Sequence, residues 1–297
     1  TILKNERRER LNEDKIREAL VGVAAAPVDV PKWSLESRQK SGRSGIPSLF
    51  LSDLHWGETV QPSQIHNLNE YSVAIAKRRL QRVVSRAITL CFDHMTNTNY
   101  PGLVLNLGGD LVSGDIHEEL SETNELTSGE TLIDIVGALT WAIDRLLERF
   151  PELWVIGVAG NHGRMHKKPR AKNRAFTNFD WIICQLLRKH YAKEKRVQWL
   201  IPDGPDAWFR VYSHRYLLTH GDQFRGGDGI IGALGPILRG DTKKRARNSN
   251  VGLEFDTMIM GHWHQWMALR RVIVNGSLKG YDEYAMQSNF GYEPPIQ

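Results

Sequence analysis

What most constrains the fold of this chain is a grammar repeated from Pro47 onward, in which a short apolar run ends in Gly, Asp, Asn or His. The runs read SLFLSDLH, GLVLNLGGD, LWVIGVAGNH, RYLLTHGD, TMIMGHWH and RVIVNGS. Uninterrupted apolar stretches of roughly four to seven residues fit strands buried on both faces, where neither side needs polar alternation. Between them lie segments with helical periodicity, over 68–96, 129–149 and 179–194. Strands alternating with helices predict an α/β fold. No stacked repeat of the solenoid kind is present.

A chain of 297 residues, 41% hydrophobic and 25% charged, can bury a sizeable core. Its two cysteines, Cys91 and Cys184, provide neither a disulfide framework nor a thiolate metal motif. A reducing compartment, the cytoplasm, is therefore expected. The most apolar long stretch, TLIDIVGALTWAIDRLL, is interrupted by Asp134, Asp144 and Arg145. It reads as an amphipathic helix, so no membrane association is expected, and no secretory signal is visible.

Three parts are expected along the chain. Residues 1–44 read as a charged N-terminal helix, with Leu3, Leu11, Ile16 and Leu20 on one face, followed by a linker arm rich in Pro, Ser and Gly. Residues 45–285 form the main domain. Residues 286–297 read as a C-terminal tail, and truncation is an expectation at both ends, at Thr1, which stands in place of Met, and after Gln297. The stretch 223–250 reads as a long, Gly-rich loop that is basic near its end.

The polar residues that end the apolar runs are Asp53 and His55, Asp110, Asn161 and His162, His220, then His262 and His264. In an α/β sheet the carboxyl ends of strands converge on one crevice. Carboxylates, an amide oxygen and imidazoles, without a thiolate, suit Mn²⁺ first, with Fe²⁺ or Zn²⁺ as alternatives, and do not suit an all-oxygen Ca²⁺ cage. The Asp-x-His and His-x-His pairs have strand spacing, where i and i+2 share a face. The donors exceed the needs of one ion, so two divalent ions sharing a carboxylate are expected. A single histidine at a strand end is more often structural, and Gly-Asp is an ordinary turn dipeptide. The joint pattern decides, since five of the eleven histidines end apolar runs. His66, His94, His190 and His214 lack that context and read as structural.

Taken in order, SDLHWGE, LGGDLVSG, AGNHGR, THGD and GHWH resemble the five signature motifs of the calcineurin-like metallophosphoesterases, over roughly residues 47–280. The resemblance implies a sandwich of two mixed β-sheets flanked by helices. It implies that Asp53, His55, Asp110 and His264 ligate one metal, and that Asp110, Asn161, His220 and His262 ligate the second. His162 resembles the histidine that stabilises the transition state or protonates the leaving oxygen. The implied activity is phosphoester hydrolysis by a metal-activated hydroxide, with Arg164 adding positive charge at the phosphoryl group. The chain departs from the phosphoprotein phosphatase branch at Ser113 and Gly114, where that branch has Asp and Arg, and so is nuclease-like. It also has Gly163 and Arg164 where many relatives have an acid after Asn-His, and Asp115 is the substitute expected to orient His162.

Charge placement bears on the substrate. The net charge is +5 and the pI about 9.2. One basic cluster, including Lys167, Lys168 and Arg170, follows His162, and another, including Lys243, Lys244 and Arg245, follows His220. Cations at a crevice rim suit successive phosphates, so a phosphodiester in nucleic acid is the expected substrate. Nucleotides or another small phosphorylated metabolite form the alternative, and a non-catalytic binding scaffold is a third reading. Trp56, Trp263 and Trp266 stand near the ligands and are candidates for stacking on a base or for packing.

Overall fold

A computed structural model describes residues 30–36, 45–226 and 232–297. Most of the expected N-terminal arm lies outside the described residues; within it, 30–36 contain a short helix, α1 (Lys32–Leu35).

The first sheet consists of β1 (Ser48–Leu51), β2 (Leu103–Leu107), β3 (Leu153–Gly157) and β4 (Val197–Leu200), in that order and parallel at every pairing. The expectation of two mixed sheets is corrected on this point. Each crossover between these strands carries a helix, which returns the chain to the same end of the sheet so that the next strand runs parallel. The crossover helices are α2 (Val73–Asp93), α3 (Glu118–Thr123) with α4 (Ser128–Leu147), and α5 (Phe179–His190). Every residue of β2 and β3 is buried, as their unbroken apolar runs require.

The second sheet is mixed, in the order β5 (Asp206–Val211), β6 (His214–Thr219), β7 (Thr257–Met260), β9 (Val272–Val274) and β8 (Met267–Ala268). It is antiparallel at both edges and parallel between β6, β7 and β9. Trp154 and Ile156 of β3 pack with Phe209, Leu218 and Ile259 of the second sheet, so this cluster lies between the sheets. The other face of β3, Leu153 and Val155, packs with Leu80 and Val84 of α2 and Ile135 and Leu139 of α4. Each such fully buried aliphatic side chain contributes about 1.5–3 kcal/mol.

α6 (Leu234–Asn250) covers the outer face of the second sheet through Ile237, which joins Met258, Met260 and Val274. The stretch 223–250 is therefore mostly helix, not loop. Four of its six glycines precede the helix, Gly235 and Gly240 lie within it, and residues 227–231 lie outside the described set. α7 (Glu283–Gln287) follows the second sheet. The final residues pack back on the end of β1, where the Gln297 amide donates to the Ser52 carbonyl at 2.9 Å and accepts from the Ser52 N–H at 2.9 Å.

Candidate metal centre

β1, β2, β3, β6 and β7 all stop just short of the residues singled out at their ends. The backbone then turns left-handed, with φ of 51° at Asp53, 48° at His55, 48° at Asp110, 73° at His262 and 53° at His264. These are five of the ten non-glycine residues with positive φ among the described residues. Such conformations cost about 1–3 kcal/mol each and concentrate at functional sites. The convergence expected from strand alternation thus has another origin: the pairs 53/55 and 262/264 converge through left-handed turns beyond the strands. The turns are held by neighbouring loops, with Asp53 N–H donating to the Gly109 carbonyl at 3.0 Å and His55 N–H to that of Asp110 at 3.1 Å. Glycine lets the loops close: a Cβ on Gly160 would overlap the Asp110 carboxylate, and one on Gly261 would overlap that of Asp53.

Asp53, His55, Asp110 and His220 are buried, while Asn161, His162, His262 and His264 are half-buried at the rim. Their donor atoms group as Asp53 with His55 and His264, His55 with Asp110 and His162, and Asp110 with His220 and His262, all within 4.8 Å inside each group. His55 Nε2 faces His264 Nε2 at 3.0 Å, and His264 Nε2 lies 3.5 Å from Asp53 Oδ1. His220 Nε2 lies 3.0 Å from Asp110 Oδ2 and 3.1 Å from Asn161 Oδ1.

The donor chemistry fits a pair of cations. His220 Nδ1 donates to the Gly108 carbonyl at 2.8 Å. In the neutral ring Nε2 is therefore a bare lone pair, aimed at two acceptor oxygens. Only a proton or a cation relieves that convergence. In the metal-free arrangement the proton does so: burial alone would lower the His220 pKa, but the adjoining Asp110 carboxylate raises it to about 10. Burial likewise works against ionised Asp110 and Asp53, yet His220 holds the Asp110 pKa well below its ordinary value and His264 lowers that of Asp53.

No protein-family model and no curated protein matches the sequence. Among solved structures, the chain is similar to a single mutant of Vps29 from Entamoeba histolytica, with 15% identity, 79% of this chain and 76% of that one covered, and a TM-score of 0.31. It is also similar to a conserved uncharacterised protein from Streptococcus pneumoniae, described as a predicted phosphoesterase, with 11% identity, 78% and 73% covered, and a TM-score of 0.30. Likenesses this remote carry no argument about activity, which rests on the side chains themselves.

His162 sits over the cluster, its ring centroid 4.6 Å from that of His55. Burial lowers its pKa to about 3, and its Nδ1 donates to the Ser113 carbonyl at 2.9 Å, leaving Nε2 free. Asp115, expected to orient this ring, is turned instead toward Ser128 and Asn124. Gly114 explains the departure from the Asp-Arg pattern. It has φ +67° and a Cβ there would overlap the His162 carbonyl, so no side chain fits.

Arg164 is placed beside the site but its guanidinium is engaged in its own loop. It donates to the carbonyls of His166, Asn161 and Lys167 at 3.0, 2.8 and 3.0 Å. These bonds hold the loop that follows His162. Lys167, Lys168 and Arg170 are exposed, and Lys168 and Arg170 line a cleft beside Asn161. The second cluster divides. Lys243 is exposed on α6. Lys244 is 4% exposed and bound to Asp206 and Gln223 at 2.5 and 2.8 Å. Arg245 bonds Asp241 at 2.9 Å and the Phe255 carbonyl at 2.8 Å. Lys244 and Arg245 thus tie α6 to the second sheet and are not cations held out to a substrate. Of the tryptophans, Trp56 is buried core, bonded to Asp134 at 2.8 Å, and Trp266 is 54% exposed.

Reading the sequence missed the groups behind the cluster. Glu58 is buried 3.2 Å from His55 Nδ1 and 2.7 Å from Lys279 Nζ, and Lys279 also lies 2.5 Å from Asp282. Burial opposes the Glu58 charge, but Lys279 and His55 hold its pKa far below the ordinary carboxylate range. Asp180, on α5, is buried beneath the loops that carry Asp110 and Gly160. Glu58 lies inside the quoted SDLHWGE run, a signal that was available; nothing local distinguishes Lys279 or Asp180.

Proposed function

We propose that this chain is a dinuclear metal phosphoesterase that hydrolyses phosphodiester bonds, with nucleic acid as its substrate. The observation that carries the reading is the convergence of lone-pair atoms from His220, Asp110 and Asn161, joined through Asp110 and His55 to a second group with Asp53 and His264. Asp53, His55 and His264 would hold one ion, and Asn161, His220 and His262 the other, with Asp110 between them. Two divalent ions, Mn²⁺ foremost, supply the electrostatic clamp and the nucleophile for in-line hydrolysis when bound. His162 presents Nε2 to whatever occupies the cleft. A phosphoryl anion there favours the protonated ring, which then serves as donor to the leaving oxygen. Lys167, Lys168 and Arg170 provide the electrostatic approach for a polyanion.

The test is a panel of single- and double-stranded DNA and RNA, a small phosphodiester and a phosphomonoester, each with Mn²⁺. Polymer cleavage is expected, with a rate that falls as salt rises. Neutralising Lys167, Lys168 and Arg170 together is expected to weaken polymer cleavage and spare the small diester. Turnover of small compounds alone replaces nucleic acid with a nucleotide or metabolite. Metal uptake without any turnover makes the chain a binding scaffold.

A further inference from the structure

We propose that the open edge of the first sheet is a docking groove for an extended segment of another protein, one in which acidic residues alternate with apolar ones. The inference goes beyond the metal centre and does not rest on it.

A cleft of about 630 Å³ lies along β1, the edge strand of the first sheet, between α2 on one side and β8 and β9 on the other. Its walls are apolar and face solvent: Leu90, Trp266, Ile273 and Ile296 all line it and all are exposed. Apolar surface gathered in one place and rimmed by charge marks a binding face on a soluble protein. Here the charge has one sign. Arg79, Arg82 and Arg86 of α2 line the cleft, and no Asp or Glu does. Arg79 is engaged, donating to the carbonyls of Leu278 and Lys279 at 2.9 and 2.7 Å. Arg82 and Arg86 are exposed and have no partner among the described residues. A solvated helix face offsets such charges with acids three or four positions away, and no acid stands at those positions around Arg82 and Arg86.

The floor supplies the second half of the recognition. Ser48 stands in register with Val104, whose N–H bonds the Pro47 carbonyl at 3.0 Å. In a parallel ladder this turns the backbone groups of Ser48, Phe50 and Ser52 away from β2, toward the open edge. Side chains answer part of that edge. Asn275 donates to the Phe50 carbonyl at 3.3 Å, and the Gln297 amide pairs with both backbone groups of Ser52. The N–H and carbonyl of Ser48 and the N–H of Phe50 have no partner among the described residues. Such an edge takes an added strand, whose main-chain bonds give affinity and whose alternating side chains give specificity. Leu49 and Leu51 face the helices, and Phe50 faces the second sheet. Alternate side chains of an added strand would therefore turn to Arg82 and Arg86, and the others to Trp266 and Ile273. That selects Asp or Glu at every second position, with apolar residues between. An acyl carboxylate would answer the arginines but leave the ladder groups unpaired.

The experiment selects random peptides from a phage-displayed library on the full chain and measures the affinity of the synthesised peptides by fluorescence anisotropy. They are expected to alternate acidic and apolar residues and to bind more weakly as salt rises. Arg82→Glu with Arg86→Glu should weaken them about tenfold or more, and so should Trp266→Ala. All three side chains are exposed, so the unfolding midpoint should stay native and show that the variants fold. Methylating one alternate set of peptide backbone nitrogens should abolish binding, and methylating the other set should not. A photoreactive phenylalanine analogue in place of Leu90 should cross-link the bound peptide. Selected peptides without acidic residues, or equal affinity for the charge-reversed chain, overturn the proposal. So do cross-links from position 90 to residues 1–29 of the same chain or to a second copy, and oleate binding where no peptide is selected, each of which names a different occupant.

Discussion

The carboxylate of Asp180 accepts the backbone N–H of Asp110 at 3.0 Å, from beneath the loop that carries that residue into the cluster. The same carboxylate accepts from the N–H groups of Leu111 at 3.0 Å and Gly160 at 2.8 Å. One buried side chain at the start of α5 therefore joins the loop after β2 to the loop after β3. Asn178, which caps that helix, adds a bond to the Gly160 carbonyl at 2.9 Å.

Removing that acceptor strands three buried N–H groups, each costing about 1–3 kcal/mol. Asp180→Ala is expected to lower the denaturant midpoint sharply and to loosen Asp110 and Asn161, reducing metal uptake. Denaturant unfolding and metal analysis check this. A native midpoint with native metal content contradicts the clamp.

Gly114 leaves no room beside the His162 carbonyl and has a left-handed φ of +67°. The conformation alone costs alanine about 1–2 kcal/mol. Gly114→Ala is expected to displace His162 and lower phosphodiester turnover at least tenfold, while metal content stays native. Native turnover means that the placement of His162 does not depend on this contact.

Asp110 is shared between the donor groups, and its two oxygens contact His162 N–H and His220 Nε2. Asp110→Asn is expected to reduce occupancy of both ions, read by elemental analysis after dialysis against Mn²⁺. Full retention of one ion refutes the shared role.

Asp206 supplies a prediction about pH away from the cluster. Burial opposes its charge, but Lys244 at 2.5 Å and Arg247 at 2.6 Å lower its pKa below the ordinary value. A depressed folded pKa stabilises above the unfolded value and is lost as pH falls through the folded one. Asp206→Asn should therefore cost about 3 kcal/mol at neutral pH, by leaving Lys244 buried without its carboxylate. The gap to the native chain should begin to narrow below about pH 3.9 and close only once the pH has fallen through the lower folded pKa. Equal loss at every pH in denaturant titrations contradicts the ion-pair account.

Much of the frame and of the cluster was legible along the chain. Every apolar run that a Gly, Asp, Asn or His stops is a strand, and the three segments of helical periodicity are α2, α4 and α5. β4 and β5 carry no such signal, because VQWL and DAWFRV are partly polar edge strands and do not form an apolar run stopped by Gly, Asp, Asn or His. The α6 segment reads as a loop because LGPILRG suggests turn chemistry, and the apolar contacts of Ile237 with the second sheet favour the helix instead.

Which residues stand at strand ends is written along the chain, because apolar runs and the polar residues that stop them are short-range properties. How they meet and what supports them depends on packing between segments far apart in the chain. The left-handed turns at Asp53, His55, Asp110, His262 and His264 exist because neighbouring loops hold them. Glu58 and Lys279 are 221 positions apart, and their pairing follows from how the last segment packs behind β1. The same holds for the basic residues: Lys168 lines a cleft while Lys244 is buried against Asp206, a difference set by neighbours in space that composition does not encode.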